Sequence, residues 1–204
     1  MAIKADREYR IVQTPDIQFR VMEGEDKEYR VEGYATTYDD PYVLWNFDGV
    51  DYKEEISRDA LAGADMTDVI FLYNHEGMVY ARKSNGTLVL ESNERGLHVI
   101  ADLSSTEDSR RMYESIKAGL VTQMSWAFTI EESSYNEKTH TRSILKVNKV
   151  YDVSAVSIPA NPNTDISARS YWDGVIEEER RRERERAKKI LKLKLMLKEK
   201  NNGN

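Results

Sequence analysis

Short segments in which apolar and polar residues alternate recur along the chain, and this period of two is typical of half-buried β-strands. One such segment runs from Tyr29 to Tyr38, and a short apolar run from Val69 to Asn74 predicts another strand. Turn signals rich in glycine and asparagine separate the segments that follow, which predicts a meander of antiparallel strands. The remaining predicted strands cover residues 87–91, 97–103, 121–131 and 144–158, with an aromatic-rich loop or hairpin at 42–53.

Helical periodicity predicts one internal helix over residues 106–118, where apolar residues recur at four-residue spacing. Ser105 opens a sequence that resembles a capping box, which is an N-terminal helix signal. A shorter helix is expected over residues 58–64, because Ser57 can cap it.

The last segment of the chain, residues 175–204, predicts one long charged helix. Its first half has almost no apolar residue but several pairs at i,i+4 spacing, such as Glu178 with Arg182. Its second half carries an apolar stripe, which predicts either a surface for a partner or packing against its own domain. The stripe consists of Ile190, Leu191, Leu193, Leu195, Met196 and Leu197.

These patterns divide the 204 residues into three parts. Residues 1–28 are polar and irregular, which predicts a flexible N-terminal arm with one strand near residues 17–22. Residues 29–174 are long enough to bury an autonomous core, and residues 175–204 form the charged C-terminal helix. The expected fold class is mostly β with a few helices (α+β).

The net charge of −6 hides an asymmetry between the tail and the rest of the chain. Residues 177–200 carry eleven basic and six acidic residues, a net charge of +5, against −11 for the remainder. An acidic body argues against nucleic-acid binding by that body. The basic tail either meets an acidic partner or is simply an exposed charged helix.

The composition also limits the chemistry and the compartment. The chain has no cysteine, which excludes disulfides, cysteine-based zinc sites and a cysteine nucleophile. Its N-terminus lacks the apolar core of a signal peptide, and no apolar run approaches the roughly 20 residues needed to span a bilayer. We therefore expect a soluble, intracellular protein that does not bind a membrane.

Three residues in strand-like contexts carry the candidate chemistry: His75, Ser125 and Asp152. An imidazole, a hydroxyl and a carboxylate are the parts that turn a serine into a nucleophile. Ser125 lies on the small and polar face of an amphipathic strand, opposite the face of Met124 and Trp126. That arrangement would place a nucleophile where substrate can reach it.

Each of these residues has a structural alternative. A histidine at the end of a strand is more often a hydrogen-bonded structural residue than a base. Ser154 and Ser157 are competing serines that would simply satisfy their strand, while a buried Asp152 could pair with Arg142 or Lys149 instead of His75. His98 is a weaker candidate for a position near the site, and His140 lies in a polar loop where solvent exposure is expected.

The sequence gives no sign of a metal or cofactor site. His75 is not followed by a second histidine at helical spacing, and three histidines scattered along the chain are poor evidence for a metal site. There is no glycine-rich phosphate loop. The adjacent carboxylates at 54–55 and 131–132 would point to opposite sides of a strand, which disfavours a glycosidase pair. No metal and no cofactor are expected.

The stretch from about Tyr29 to Ala168 resembles the caudovirus prohead proteases, which mature the capsids of tailed phages. The order and spacing of the following pieces carry the resemblance: Val31-Glu32-Gly33-Tyr34-Ala35, Glu55-Ile56-Ser57-Arg58-Asp59-Ala60-Leu61, Asn74-His75-Glu76, Gly86-Thr87-Leu88-Val89-Leu90, Arg95-Gly96-Leu97-His98-Val99, residues 119–128 and residues 152–161. The chain departs from the family at Asp59-Ala60-Leu61, where Gly-Ala-Phe is usual, and at Asp152, where glutamate is usual.

The resemblance implies a fold and a function. The fold would be a closed β-barrel similar to herpesvirus assemblin, with a helical C-terminal extension. The activity would be that of a serine endopeptidase with Ser125 as nucleophile, His75 as base and Asp152 as the orienting acid. Its substrates would be scaffold or capsid-protein segments and the protease itself, cleaved inside the procapsid in the host cytoplasm.

The oxyanion donors carry no side-chain signal. Backbone N–H groups around Ala160 and Asn161 are the first candidates, because the chain turns sharply there and frees amides from strand pairing. The backbone of residues 122–126 is the alternative. A second hypothesis for the whole chain is an inactive β-domain that acts as an assembly or scaffold protein, with its C-terminal helix as the site of self-association or partner binding.

Overall fold

The computed structural model describes residues 7–11, 19–24, 28–157 and 166–201, and within the last range it describes side chains for residues 171–196. The chain divides into two compact units, Met1–Ser167 and Ala168–Asn204. Within the described residues, the first unit contains eleven strands and one complete α-helix, and the second consists of a long helix that begins at the end of the first. The elements, in chain order, are β1 Glu8–Ile11, β2 Arg20–Val21, β3 Arg30–Thr37, β4 Tyr42–Phe47, β5 Val50–Ile56, β6 Ile70–Tyr73, β7 Glu76–Arg82, a 3₁₀-helix Lys83–Asn85, β8 Leu88–Ser92, β9 Gly96–Asp102, α1 Glu107–Lys117, β10 Gln123–Asn136, β11 Thr141–Val156 and α2 Ile166–Asn201.

The strands form two sheets. The larger has the order β1-β10-β11-β5-β4, with β6 also pairing with β11 and β7 pairing with β6. The smaller is antiparallel, with the order β2-β3-β9-β8. The fold is thus α+β and consists mostly of strands, as expected. No closed barrel is found among these pairings of the described residues, so the barrel is not confirmed.

Strand β11 organises the larger sheet. It is 16 residues long and pairs with β10 along one edge. Along its other edge it has two successive parallel partners, β5 at residues 141–144 and β6 at residues 152–155. This brings β6 into register with the last part of β11, next to the first residues of β10.

Apolar residues from β10 and its neighbours form the core. Trp126 and Phe128 are fully buried and stack with ring centroids 3.9 Å apart. The apolar face of α1 packs against the same cluster through Met112 and Ile116, and β6 contributes Phe71. Burial of side chains of this size, at roughly 1.5–3 kcal/mol each, fixes which face of β10 points inward.

Several local predictions are confirmed by the structure. The hairpin predicted at 42–53 consists of β4 and β5, joined by Asp48 and Gly49 with φ of 54° and 81°. Both residues adopt the left-handed conformation that tight hairpin turns require. The internal helix α1 also lies within one residue of the predicted bounds at each end.

Two other local predictions are wrong. Residues 58–63 form consecutive turns rather than a helix, with i→i+3 bonds such as Ala60 N to Ser57 O at 2.9 Å. Helix α1 is capped by Thr106 and not by Ser105, since the Thr106 side chain accepts a hydrogen bond from the Ser109 backbone N–H at 3.1 Å. Capping from Thr106 satisfies one of the free amides at the helix start.

Helix α2 begins at Ile166, nine residues before the predicted start. Glu178 pairs with Arg182 as predicted, and also with Arg181. Five members of the apolar stripe are 51–60% exposed, and lysines are interspersed among them, so they do not gather on one face: Ile190, Leu191, Leu193, Leu195 and Met196. The side chain of Leu197 lies outside the described part. Within the described residues, neither helix combines the length and apolar character needed to cross a membrane.

Candidate active site

A two-residue turn between β6 and β7 positions His75. Tyr73 pairs with Glu76, and the two residues between them, Asn74 and His75, have φ of 50° and 60°. A hairpin turn with both central residues left-handed follows the right-handed twist of the strands. Such a φ is uncommon for histidine, and the turn is held in place by a bond from Asn74 N to Ala155 O at 3.0 Å. The imidazole is thereby directed back toward β10 and β11.

Strand register places the other two residues beside this imidazole. Ser125 of β10 is opposite Ser154 of β11, and Ala127 is opposite Asp152. Residues directly opposite each other in an antiparallel pair project from the same face, and so do residues two apart along a strand. Ser125, Asp152 and Ser154 therefore share one face of the sheet.

The three candidate residues form a continuous chain of hydrogen bonds. His75 Nε2 lies 2.6 Å from Ser125 Oγ, and His75 Nδ1 lies 2.5 Å from Asp152 Oδ1. The two ring nitrogens of the imidazole therefore face a hydroxyl on one side and a carboxylate on the other. That geometry allows the imidazole to accept a proton from the hydroxyl while the carboxylate fixes its tautomer.

Ser154 belongs to this group, although the sequence suggested only a structural part for it. Its Oγ donates to Asp152 Oδ1 at 2.9 Å, lies 3.2 Å from His75 Nδ1, and accepts the backbone N–H of His75 at 3.2 Å. Ser154 is fully buried. Its position two residues after Asp152, on the same strand face, was the signal available in the sequence.

The face that carries Ser125 is covered, contrary to the expectation of an accessible polar surface. Ser125 is 1% exposed and Asp152 is 3% exposed, while the side chain of His75 is 16% exposed. Part of the cover is β1, which pairs antiparallel with β10 so that Ile11 is opposite Ser125. Sequence patterns identify a strand but not the neighbouring strand that pairs with its edge.

Two contacts connect β1 directly to the candidate residues. The ring of Tyr9 packs edge-on against His75, with centroids 4.8 Å apart. The hydroxyl of Ser125 donates to the backbone carbonyl of Arg10, at an Oγ to O distance of 3.0 Å. The single hydroxyl proton of Ser125 thus has two acceptors within reach, this carbonyl and His75 Nε2.

A buried ionic network anchors β1. Arg10 Nε and Nη2 lie 2.5 and 3.0 Å from the two carboxylate oxygens of Glu54, and Arg10 also contacts Glu8. Tyr42 donates to Glu54 at 2.7 Å, and Arg142 Nη1 lies 3.6 Å from Glu54 and 3.3 Å from Glu8. A bidentate pair of this kind is geometrically specific as well as strong.

The network shifts the ionisation of its members. Burial alone would raise the pKa of Glu54, but the charge and hydrogen bonds of Arg10, together with Arg142, hold it below its usual value of 4.5. Burial alone would lower the pKa of Arg10, yet the neighbouring carboxylates hold it well above its usual value. Burial and the charge of Glu54 raise the pKa of Tyr42 well above its usual value. Glu54 and Arg10 are therefore both charged at neutral pH.

A sequence model of the caudovirus prohead serine protease family matches residues 16–174. The chain belongs to this family. The matched residues include His75, Ser125 and Asp152, and the match begins after β1. Comparisons with curated proteins and with solved structures found no match.

The other two histidines of this prohead protease family member lie elsewhere. His98 belongs to β9 of the smaller sheet, bonds Glu32 at 3.0 Å and packs against Tyr34. His140 lies in the β10–β11 turn and bonds the hydroxyl of Tyr135 at 3.0 Å. The structure thus brings together Ser125, His75 and Asp152, and it does not bring His98 to them.

The alternative partners proposed for Asp152 are engaged elsewhere as well. Arg142 contacts Glu8 and Glu54, and Lys149 pairs with Asp65 at 2.5 Å. The oxyanion candidates Ala160 and Asn161 fall outside the residues that the structure describes. Within the described ranges, no three acidic or histidine side chains are grouped so as to hold a metal ion.

Proposed function

We propose that this member of the prohead protease family is an active serine endopeptidase, with Ser125 as nucleophile, His75 as general base and Asp152 as the orienting acid. The observation that carries the proposal is the pair of contacts at the imidazole, 2.6 Å to Ser125 Oγ and 2.5 Å to Asp152 Oδ1. The distance to Ser125 Oγ lies within the range for proton transfer between heavy atoms, and the short contact with Asp152 fixes the tautomer of the imidazole.

The reaction follows from this geometry. Ser125 Oγ attacks the carbonyl carbon of the scissile bond while His75 Nε2 takes the hydroxyl proton. His75 then gives the proton to the leaving amine, and an acyl-serine remains. A water molecule, activated in turn by His75, hydrolyses the acyl-serine and releases the acid. Asp152 stays ionised and stabilises the imidazolium that forms in each half of the reaction.

Asp152 is the proposed acid even though the family usually has glutamate. The contact with His75 Nδ1 supports it, and so does Ser154, which donates to the same carboxylate oxygen. A shorter aspartate side chain suffices here because the β6–β7 turn directs the imidazole back over β11.

We place the oxyanion donors at the backbone N–H groups of Ala160 and Asn161. The backbone of residues 122–126 remains the alternative.

Membership of the family implies capsid-protein substrates, and we propose scaffold or capsid-protein segments together with the protease itself. The site of action would be the procapsid in the host cytoplasm. We further propose that α2 mediates self-association, because its second half exposes large apolar side chains among lysines. No nucleic acid, membrane, metal or cofactor is part of this proposal.

A catalytically inactive β-domain that serves in assembly is the second candidate, and the burial of Ser125 favours it. Co-expression with the cognate capsid protein separates the two. An enzyme cleaves that protein, whereas the Ser125→Ala variant does not, and a chelator has no effect on the cleavage. If neither form cleaves the capsid protein, and a fluorophosphonate does not label Ser125 even in a folded chain from which the strand Glu8–Ile11 has been released, the assembly role is the correct one.

A further inference from the structure

Strand β1 lies in the candidate active site in the way that a peptide substrate would. It pairs antiparallel with the strand of the nucleophile, from Glu8 opposite Phe128 to Ile11 opposite Ser125. Addition of an extended segment to a strand edge is a general mode of peptide recognition, in which main-chain bonds hold the peptide and pockets select its side chains.

Two contacts place β1 beside the candidate nucleophile and the candidate base. The carbonyl oxygen of Arg10 is 3.0 Å from Ser125 Oγ, so the Arg10–Ile11 peptide bond is the bond next to the nucleophile. Tyr9, the residue before Arg10, packs against the imidazole of His75. The atom attacked in peptide hydrolysis is the carbonyl carbon, and the hydrogen bond from Ser125 Oγ to the oxygen of Arg10 keeps that carbonyl group beside the nucleophile.

The side chain of Arg10 enters a prebuilt acidic site. Its acceptor, Glu54, is completely buried and is held by Tyr42 and Arg142 as well as by Arg10 itself. A peptide without a cation at this position would leave the buried carboxylate compensated only in part, by Arg142 and Tyr42, which weakens binding. A site of this kind discriminates strongly against side chains that cannot replace the missing partner.

We propose that β1 is a resident peptide on the substrate-binding edge of β10, and that substrates bind the same edge with an arginine directed to Glu54, immediately before the bond that is cleaved. This inference rests on the proposed serine endopeptidase function and adds its substrate class. The residue two positions before the arginine is acidic in the resident peptide, where Glu8 contacts Arg142.

The resident peptide blocks the site rather than reacting in it. Ser125 donates toward the carbonyl oxygen of Arg10, so its proton is drawn away from His75 Nε2. The family match begins at residue 16, so the strand that fills the site lies outside the matched segment. Activity toward other peptides therefore requires that β1 leave.

The experiment uses the full chain, with a recognition sequence for a site-specific protease inserted after Gln13 so that β1 can be released after folding. The rate of Ser125 labelling by a fluorophosphonate is measured before and after cleavage and dilution. We expect cleavage to raise the rate about tenfold or more, and a synthetic peptide of residues 5–13 to lower it again. The same peptide with Arg10→Ala should inhibit about tenfold more weakly. Arg7→Ala removes an arginine of the same peptide that lies over the ring of Tyr151, and it should have a smaller effect.

The outcomes distinguish this inference from the function on which it rests. Equal labelling before and after release of β1, or loss of the circular dichroism signal of the folded chain on release, shows that β1 is an ordinary structural strand and overturns the inference. If Ser125 is not labelled in the folded, released chain, the endopeptidase proposal fails. In that case a fluorescent peptide of residues 5–13 still tests the arginine site, through its affinity for the released Ser125→Ala chain. The same affinity is measured for released Ser125→Ala chains that also carry Glu54→Gln or, as the control, Glu55→Gln. Equal affinity for all three would overturn it.

Discussion

The backbone N–H of His75 donates to the side-chain oxygen of Ser154, 3.2 Å away, and the same hydroxyl donates to Asp152 at 2.9 Å. One buried hydroxyl thus holds both the left-handed turn that carries the imidazole and the carboxylate that faces it. Backbone in this conformation persists when its surroundings fix it. Ser154 is therefore a positioning residue for the proposed reaction.

Replacement of Ser154 by alanine should lower kcat by about ten- to a hundredfold with a smaller change in KM, because small displacements of reacting groups are costly. Ser154→Thr keeps a hydroxyl and should retain more activity. Ser157→Ala is the matched control, since Ser157 directly follows β11 and is exposed. Equal kcat for Ser154→Ala and Ser157→Ala would mean that Ser154 only completes the sheet.

Ser125→Ala should abolish cleavage of the capsid protein while the fold survives, because removal of one hydroxyl creates no large cavity. His75→Ala should be comparably damaging, and losses on the order of a thousandfold or more are expected for residues that act as a unit. His98→Ala is the control, because His98 lies in the other sheet. Cleavage by purified Ser125→Ala would require a different nucleophile.

Asp152→Asn should reduce the rate strongly, since an amide cannot stabilise the imidazolium and favours the wrong tautomer. The variant preserves size, so its melting temperature should change less than its activity. The measurement is the rate of peptide hydrolysis alongside thermal unfolding of the same sample. Near-normal turnover would remove Asp152 from the mechanism and leave a water molecule or another group as the third member.

Much of the sheet could be predicted from local pattern, because alternation and turn residues act over short distances. The strand of Ser125 and the turn after Asn74 are examples. The roles proposed for the three candidate residues, in contrast, depended on the family resemblance. The pairing of β1 at the site could not be predicted, since Arg10 pairs with Glu54 across 44 residues of chain and Glu8 pairs with Arg142 across 134. Long-range pairing of a short polar segment leaves no periodic signal in the sequence, and the polar, irregular residues 1–28 predicted a flexible arm.

The Arg10–Glu54 network makes the free energy of unfolding depend on pH in the acidic range. Because the pKa of Glu54 is lower in the folded chain than its usual value of 4.5, its ionised form adds stability above that value. That contribution is lost as the pH falls from 4.5 toward the folded pKa. Urea unfolding should therefore show a free energy of unfolding that declines across this acidic window.

Glu54→Gln should cost roughly 3–5 kcal/mol near pH 7, because it leaves buried guanidinium groups without their carboxylate. The difference from the parent chain should shrink as the pH falls below 4.5, where Glu54 of the unfolded parent chain takes up a proton. Glu55→Gln, on the other face of β5, should cost about 1 kcal/mol or less. A Glu54→Gln penalty that stayed constant with pH would show that packing, and not charge, is what the network supplies.

The last prediction concerns α2. Residues 177–200 carry a net charge of +5 against −11 for the remainder, and the second half of the helix exposes apolar side chains of which Ile190 and Leu193 are 54% and 60% exposed. Opposite charges favour contact between neighbouring molecules, and exposed apolar groups favour association once contact is made. Truncation after Asp173 should leave peptide hydrolysis largely intact but reduce self-association in sedimentation and incorporation into procapsids. Higher salt should weaken association of the full chain, because it screens the charge attraction. A truncated chain that is insoluble or unfolded would show instead that the helix belongs to the core of the protein.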